Sequence, residues 1–274
     1  MRKCRLTTTL FAALIIFVVA AFTHNYNARA EDKGTEELAK KTQNPVSDLI
    51  SLPLQNNTNF GIGPHDRTQN VLNIQPVIPI NVREWNLINR TILPLIYQPD
   101  IFDSSGGTFG LGDINSTLFL SPAKPSKFIW GVGPIISFPT ATDDVLGSGK
   151  WSAGPSAVGL VMPGKWVLGA LVNNIWSFAG DSERRSVNQF LLQYFVNYNL
   201  PKGWYLSSAP ILTANWKADS GNQWTVPFGG GVGKIFRIGK QPMNAQVQAF
   251  YNAVKPDNGP DWTLRLQFQF LFPK

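Results

Sequence analysis

From residue 50 onward the chain alternates. The last segment is the clearest: Trp262, Leu264, Leu266, Phe268, Phe270 and Phe272 fall on one parity, and Thr263, Arg265, Gln267 and Gln269 on the other. Period two is the mark of a β-strand with unlike faces. Leu72, Ile74, Ile78, Ile80 and Val82 alternate with Asn73, Gln75 and Asn81. Phe190, Leu192, Tyr194, Val196 and Tyr198 alternate with Gln189, Gln193 and Asn197. Met243, Ala245, Val247, Ala249 and Tyr251 alternate with Asn244, Gln246, Gln248 and Asn252. Asp113, Asn115, Thr117 and Ser121 share a polar parity opposite Ile114, Leu118 and Leu120. The segment around Arg90 departs from the rule, because Ile88, Ile92 and Ile96 share its parity.

Length decides what such strands are for. About twelve segments can be marked, near 50–62, 69–83, 86–98, 112–121, 126–138, 151–163, 165–178, 186–199, 203–216, 222–236, 241–253 and 261–272. Strands of soluble proteins are mostly about 5–6 residues long, whereas a tilted strand needs about 9–11 to cross a bilayer. The pattern predicts an all-β fold over 50–274: an antiparallel up-and-down transmembrane β-barrel of about twelve strands. Its apolar parity would face lipid and its polar parity the lumen. Beyond the N-terminus no stretch approaches the roughly 18 apolar residues of a membrane helix.

The connections agree. Short links at Glu84-Trp85, Pro163-Gly164-Lys165, Leu200-Pro201-Lys202 and Gly239-Lys240 alternate with longer polar ones at 98–111, 140–150, 179–185, 217–221 and 255–260. Short periplasmic turns and long external loops are the habit of outer-membrane barrels. Trp85, Trp151, Trp166, Trp176, Trp204, Trp216, Trp224 and Trp262 stand at segment ends. Indole prefers the headgroup level, so they read as aromatic girdles.

The first 30 residues read as a secretory signal peptide. Arg2, Lys3 and Arg5 precede the apolar run 10–22, and Ala28-Arg29-Ala30 is a small-x-small cleavage site. Cleavage after Ala30 takes away four basic residues and leaves 20 basic against 17 acidic, a net +3 in place of +7. That removes the argument for nucleic acid as a partner. The only cysteine, Cys4, goes with the leader, so neither a disulfide scaffold nor a cysteine zinc site is open to the chain. Residues 31–49 form an N-terminal segment that lies in the periplasm or plugs the barrel. Helix formers fill 35–41, and Asn44-Pro45 stops the helix.

Catalytic chemistry is hard to find. The single histidine after the leader, His65, sits in Gly63-Pro64-His65-Asp66-Arg67, and a lone loop histidine reads as a solvated residue rather than a general base. The glycine run 229–234 fails the phosphate-loop pattern, with Phe228 at the first glycine position and Ile235 where Ser or Thr belongs. Glycines in a barrel strand mark a bend or close packing beneath another element. The carboxylates Asp143-Asp144 and Asp181/Glu183 lack EF-hand spacing. No catalytic residue, cofactor or metal is expected.

The polar parity is the informative surface. Its candidate lumen residues are Asn73 and Gln75, Arg90, Asp113 and Asn115, then Gln189, Gln193 and Asn197, then Gln246 and Gln248, and finally Arg265, Gln267 and Gln269. Ion channels commonly carry rings of one charge sign. An amide-rich lining suits neutral or weakly polar solutes better. The competing reading has the amides bonded to each other across a filled interior. Arg90 and Asp113 lie on neighbouring segments, within reach of a cross-strand pair.

Gly110-Leu111-Gly112-Asp113 opening a strand, Leu118-Phe119-Leu120-Ser121-Pro122, Gly131-Val132-Gly133-Pro134 and the closing Phe268-Gln269-Phe270-Leu271-Phe272 together resemble the phenol-degradation MetA-pathway family of bacterial outer-membrane proteins. The resemblance covers roughly residues 45–274 and rests on the order of short motifs. It implies an outer-membrane barrel associated with aromatic-compound breakdown, a transport role and no established site residues. One departure is that Pro273-Lys274 follow Phe272, whereas barrel-assembly signals end on the aromatic. The expected function is a channel passing small molecules, aromatic or hydrophobic ones included. Its partners would be outer-membrane lipid and the barrel-assembly machinery. A non-conducting structural or surface-interaction barrel is the second reading and an outer-membrane hydrolase the third.

Overall fold

The computed structural model describes residues 31–124 and 126–273. The leader with Cys4 and the cleavage after Ala30 lie outside them, as does Lys274. Helix α1 (Glu31–Thr42) leads into β1 (Ile50–Ile62), β2 (Arg67–Ile74), β3 (Val77–Val82), β4 (Trp85–Pro99) and β5 (Gly107–Leu111). Then come β6 (Ile114–Pro122), β7 (Phe128–Phe138), β8 (Lys150–Val161), β9 (Trp166–Gly180) and β10 (Asn188–Asn199). The wall ends with β11 (Trp204–Ser208), β12 (Ile211–Asn215), β13 (Trp224–Ile238), β14 (Gln241–Val254) and β15 (Trp262–Phe272). The pairs β2/β3, β5/β6 and β11/β12 are single staves broken by a kink, so the ring has twelve staves. Each stave pairs antiparallel with its neighbour, and β15 returns to β1 with Ile50 opposite Phe272 and Phe60 opposite Trp262. Closure leaves no edge to aggregate.

Two of the kinks fall at Gln75-Pro76 and Ala209-Pro210, because proline has no N–H for the ladder. The third, at Gly112-Asp113, corrects an expected boundary. The fourth stave starts at Gly107 rather than 112, and the loop before it is only 100–106. At one rim lie the short connections, α1 and the end of β15; at the other lie 63–66, 100–106, 139–149, 181–187, 216–223 and 255–261. We call these the turn rim and the loop rim.

Hydrogen bonds that skip staves identify the inner face. Gln248 Nε2 donates to Ser207 Oγ at 3.0 Å, two staves away, and Arg265 Nη1 donates to the Ala209 carbonyl at 2.9 Å, three staves away. Such bonds can only cross the interior. Register then carries the face around the ring: Arg265 is opposite Asn57 and Gln248, Gln248 opposite Gly231, Gly231 opposite Ser207, and Ser207 opposite Asn197. Leu266, Phe268, Ala245 and Phe236 fall on the outer face, where Phe268 packs against Phe236 and Phe270 at ring distances of 6.3 and 5.3 Å.

The tryptophans lie on the outer parity in two belts. Trp85, Trp130, Trp166 and Trp204 mark the turn rim, and Trp151, Trp176, Trp216, Trp224 and Trp262 the loop rim. Trp85 meets Trp130 edge-on at 6.1 Å, Trp216 meets Trp224 at 5.4 Å, and Phe60 stacks on Trp262 at 4.1 Å. Trp166 and Trp176 bracket one stave. Ten residues at a rise of about 3.3 Å span about 33 Å along the strand. At a tilt of about 40° that is about 25 Å of height, the thickness of the apolar band of such barrels.

Candidate functional site

The interior is the candidate site, and it has two unlike sides. From β14 round to β2 the inner face carries amides. From β4 to β10 it carries Ile88, Phe119, Val158, Leu160, Val167, Leu171 and Phe195, buried in one cluster with Val46 of the N-terminal segment. This explains the parity anomaly beside Arg90: Ile88 is opposite Phe119, and both point into a dry inner patch rather than toward lipid.

Residues 31–49 fill the turn-rim end of this interior. Leu38 and Ala39 of α1 are buried with Leu49 against Tyr205, Ile235 and Leu271 of the wall. The helix is reinforced by Glu36–Lys40 and Glu37–Lys41 pairs four residues apart, and it stops at Thr42, just before Asn44-Pro45. Gln43 Nε2 donates to Asn199 Oδ1 at 2.9 Å, and Asn199 Nδ2 donates back to Gln43 Oε1 at 3.3 Å. An amphipathic helix and an amide clasp thus seat the segment.

Two cavities in the interior lie one above the other. The lower, about 160 Å³, lies between residues 41–49 and the wall at Arg90, Asn197, Gln246 and Gln267. The upper, about 250 Å³, reaches toward the loop rim and is bordered by Asn57, Asn73, Phe250 and Arg265. Gln55 borders both. What separates them includes the Arg265–Ala209 bond. Pro210 interrupts the ladder there, and the Ala209 carbonyl accepts from Arg265 Nη1 and, at 3.4 Å, from Gln193 Nε2.

The placement of the residues read from the sequence is as follows. Gln75 accepts from Arg90 Nη2 at 2.9 Å. Gln269 accepts from Asn244 at 3.3 Å and from Gln267 at 3.4 Å. Asn115 and Gln189 share the inner parity nearer the loop rim, where Gln189 is exposed. Asp113 is a correction. Arg90 is opposite Thr117, and Asn115 opposite Ile92, so Asp113 lies farther toward the loop rim. Its carboxylate accepts from Ser148 N at 2.6 Å, Ser148 Oγ at 2.8 Å and Ala141 N at 3.3 Å. The kink at Gly112-Asp113 turns it into an anchor for loop 139–149, and no Arg90–Asp113 pair forms. His65 is exposed in the turn after β1 and borders neither cavity.

Tyr205 was not legible as a site residue. It is 2% exposed, and its hydroxyl donates to Asn244 Oδ1 at 2.7 Å across β13. It can lie flat on the wall because Gly233 is opposite it: a Cβ there would come 2.1 Å from the tyrosine ring. Gly233 is thus packed closely beneath another side chain, whereas Gly229, Gly230 and Gly231 lie against backbone carbonyls of the neighbouring strands. Gly233→Ala should displace Tyr205, break its bond to Asn244 and cost about 1–3 kcal/mol, as overpacking does. Urea unfolding in liposomes would measure it, and an unchanged midpoint would remove Tyr205 from the account.

Comparison with known proteins places the fold. No protein-family model matches the chain, and no curated protein matches it in sequence. Among solved structures, an outer membrane channel from Pseudomonas putida F1 matches with a TM-score of 0.61 at 19% identity, over 82% of this chain and 94% of that one. At that identity the likeness is one of fold. The CymD monoaromatic hydrocarbon channel (TM-score 0.44, 9% identity, 91% and 94% covered) shares with this chain little more than a barrel. So does the outer membrane phospholipase A of Escherichia coli (0.41, 13%, 88% and 98%).

Proposed function

We propose that the chain is an outer-membrane channel for passive passage of small molecules, aromatic and hydrophobic ones included, and that it is not an enzyme. The observation that carries this is the pair of stacked cavities, divided by hydrogen-bonded side chains rather than by a packed core. The turn rim is then periplasmic and the loop rim external, by the loop-length habit of such barrels. The leader exports the chain and is cleaved after Ala30, and the barrel-assembly machinery inserts it. The phenol-degradation MetA-pathway family remains the resemblance that fits this reading, supported by the fold likeness to an outer membrane channel.

A second reading, a non-conducting structural barrel, draws on α1 seated in the lumen. Flux separates the two. Liposomes holding the refolded protein should take up benzyl alcohol faster than empty ones, after correction for leakage through lipid, and planar bilayers should show discrete conductance. Absence of both with the barrel correctly folded would favour the structural reading.

A further inference from the structure

Among the described residues no strand contains an aspartate or glutamate; the carboxylates lie in α1, the connections, the Gly112-Asp113 kink and Asp48. Yet midway along the wall the inner face holds two arginines, Arg90 and Arg265, and neither is paired with a carboxylate. Arg265 is 6% exposed. Its Nε donates to Asn57 Oδ1 at 2.9 Å, its Nη1 to the Ala209 carbonyl, and its carbon lies 4.8 Å from the centre of the Phe250 ring. Every one of these contacts is neutral. Nη2 has no acceptor among the described residues, and the side chain borders the upper cavity.

A buried cation with no countercharge among its contacts is costly. A guanidinium held in a fixed plane is also the group best shaped to take a carboxylate through two parallel hydrogen bonds. The missing countercharge can come only from the cavity, since the wall supplies none. The remainder of that cavity is mixed: Asn57 and Asn73 offer amides, and Phe250, Ile211, Val71 and Pro227 offer apolar surface. Its volume, about 250 Å³, falls below the roughly 300–1,000 Å³ of sites for drug-sized ligands, which leaves room for a single ring. We propose that Arg265 binds the carboxylate of a small single-ring organic acid in the upper lumen, with the ring against Phe250 and Ile211. This rests on the channel reading for the route by which the acid arrives.

Titration calorimetry on the refolded, leader-free protein, with benzoate and its neutral analogue benzyl alcohol at constant chloride, tests it. Benzoate should bind at least tenfold more tightly than benzyl alcohol. Arg265→Gln should lose that preference, and Arg265→Lys should keep part of it. If the glutamine variant does not fold, the wild-type comparison and the lysine variant decide. Equal binding of the two probes, or benzoate binding unchanged in Arg265→Gln, overturns the proposal. The channel reading is tested apart from it by flux. Benzyl alcohol passage without benzoate preference removes the site and leaves the channel; benzoate binding without flux of either probe leaves the site and removes the channel.

Discussion

Phe268→Arg should destabilise the barrel by about 2–4 kcal/mol, the cost of an arginine on the lipid face near the midplane. Gln267→Ser, one residue away, should cost no more than about 1 kcal/mol. The two positions share a strand and differ in face. Phe268 is opposite Ala245 on β14 and Leu54 on β1, in an outer patch with Phe236 and Phe270. Gln267 is opposite Gln246 and Gln55 on the inner face and makes only a 3.4 Å bond to Gln269. Phe268 is four residues from Phe272 and six from Trp262, too deep for an arginine stem to reach either rim cheaply. Urea titration of each variant in liposomes measures the difference. Equal damage at both positions would mean that β15 is buried on both faces, as in a soluble sandwich, and the membrane reading would fall.

The same contrast explains how much was readable in advance. Where one face is lipid and the other amide, as along β14 and β15, alternation in the sequence is alternation in space, and the inner residues follow directly. From β4 to β10 the rule weakens where apolar residues stand on the inner parity as well, although Gln189, Gln193 and Asn197 still keep it along β10. Ile88, Phe119, Leu160 and Phe195 face inward yet look like membrane-facing residues. A strand apolar on both faces has no period. The sequence carries one sign of this, since Ile88, Ile92 and Ile96 share the parity of Arg90. That is inconsistent with a lipid face, because an arginine would then stand in hydrocarbon. Asp113 misled for a different reason. Its parity is inward, but Gly112 and Asp113 leave the ladder, and a carboxylate freed from a strand is drawn to the nearest unpaired N–H groups, here Ala141 and Ser148. Arg265 and its neutral surroundings were out of reach, because the Ala209 carbonyl that holds it lies 56 residues away in sequence.

Removing residues 31–43 should raise single-channel conductance at least several-fold while leaving a folded barrel. An α-helix with its side chains is about 10–12 Å across, and α1 is seated against Tyr205, Ile235 and Leu271 at the turn-rim end of the lumen, so it occupies much of the path. No strand loses a partner, because β1 begins at Ile50 and its register with β15 involves nothing before that residue. The stability lost is chiefly the burial of Leu38, about 1.5–3 kcal/mol for a leucine side chain, set against a wall closed by ladders on every stave. Leu38→Asp offers the same result without shortening the chain, since an unpaired carboxylate at that position would have to leave the apolar pocket to be hydrated. Conductance in planar bilayers, alongside the faster migration of unboiled protein on a detergent gel as the check on folding, reads both variants. If both fold and neither passes more current than the parent, α1 is not the obstruction. The constriction would then be the layer at Arg265, Ala209 and Gln193, where the Pro210 kink brings the wall's own carbonyl into the lumen.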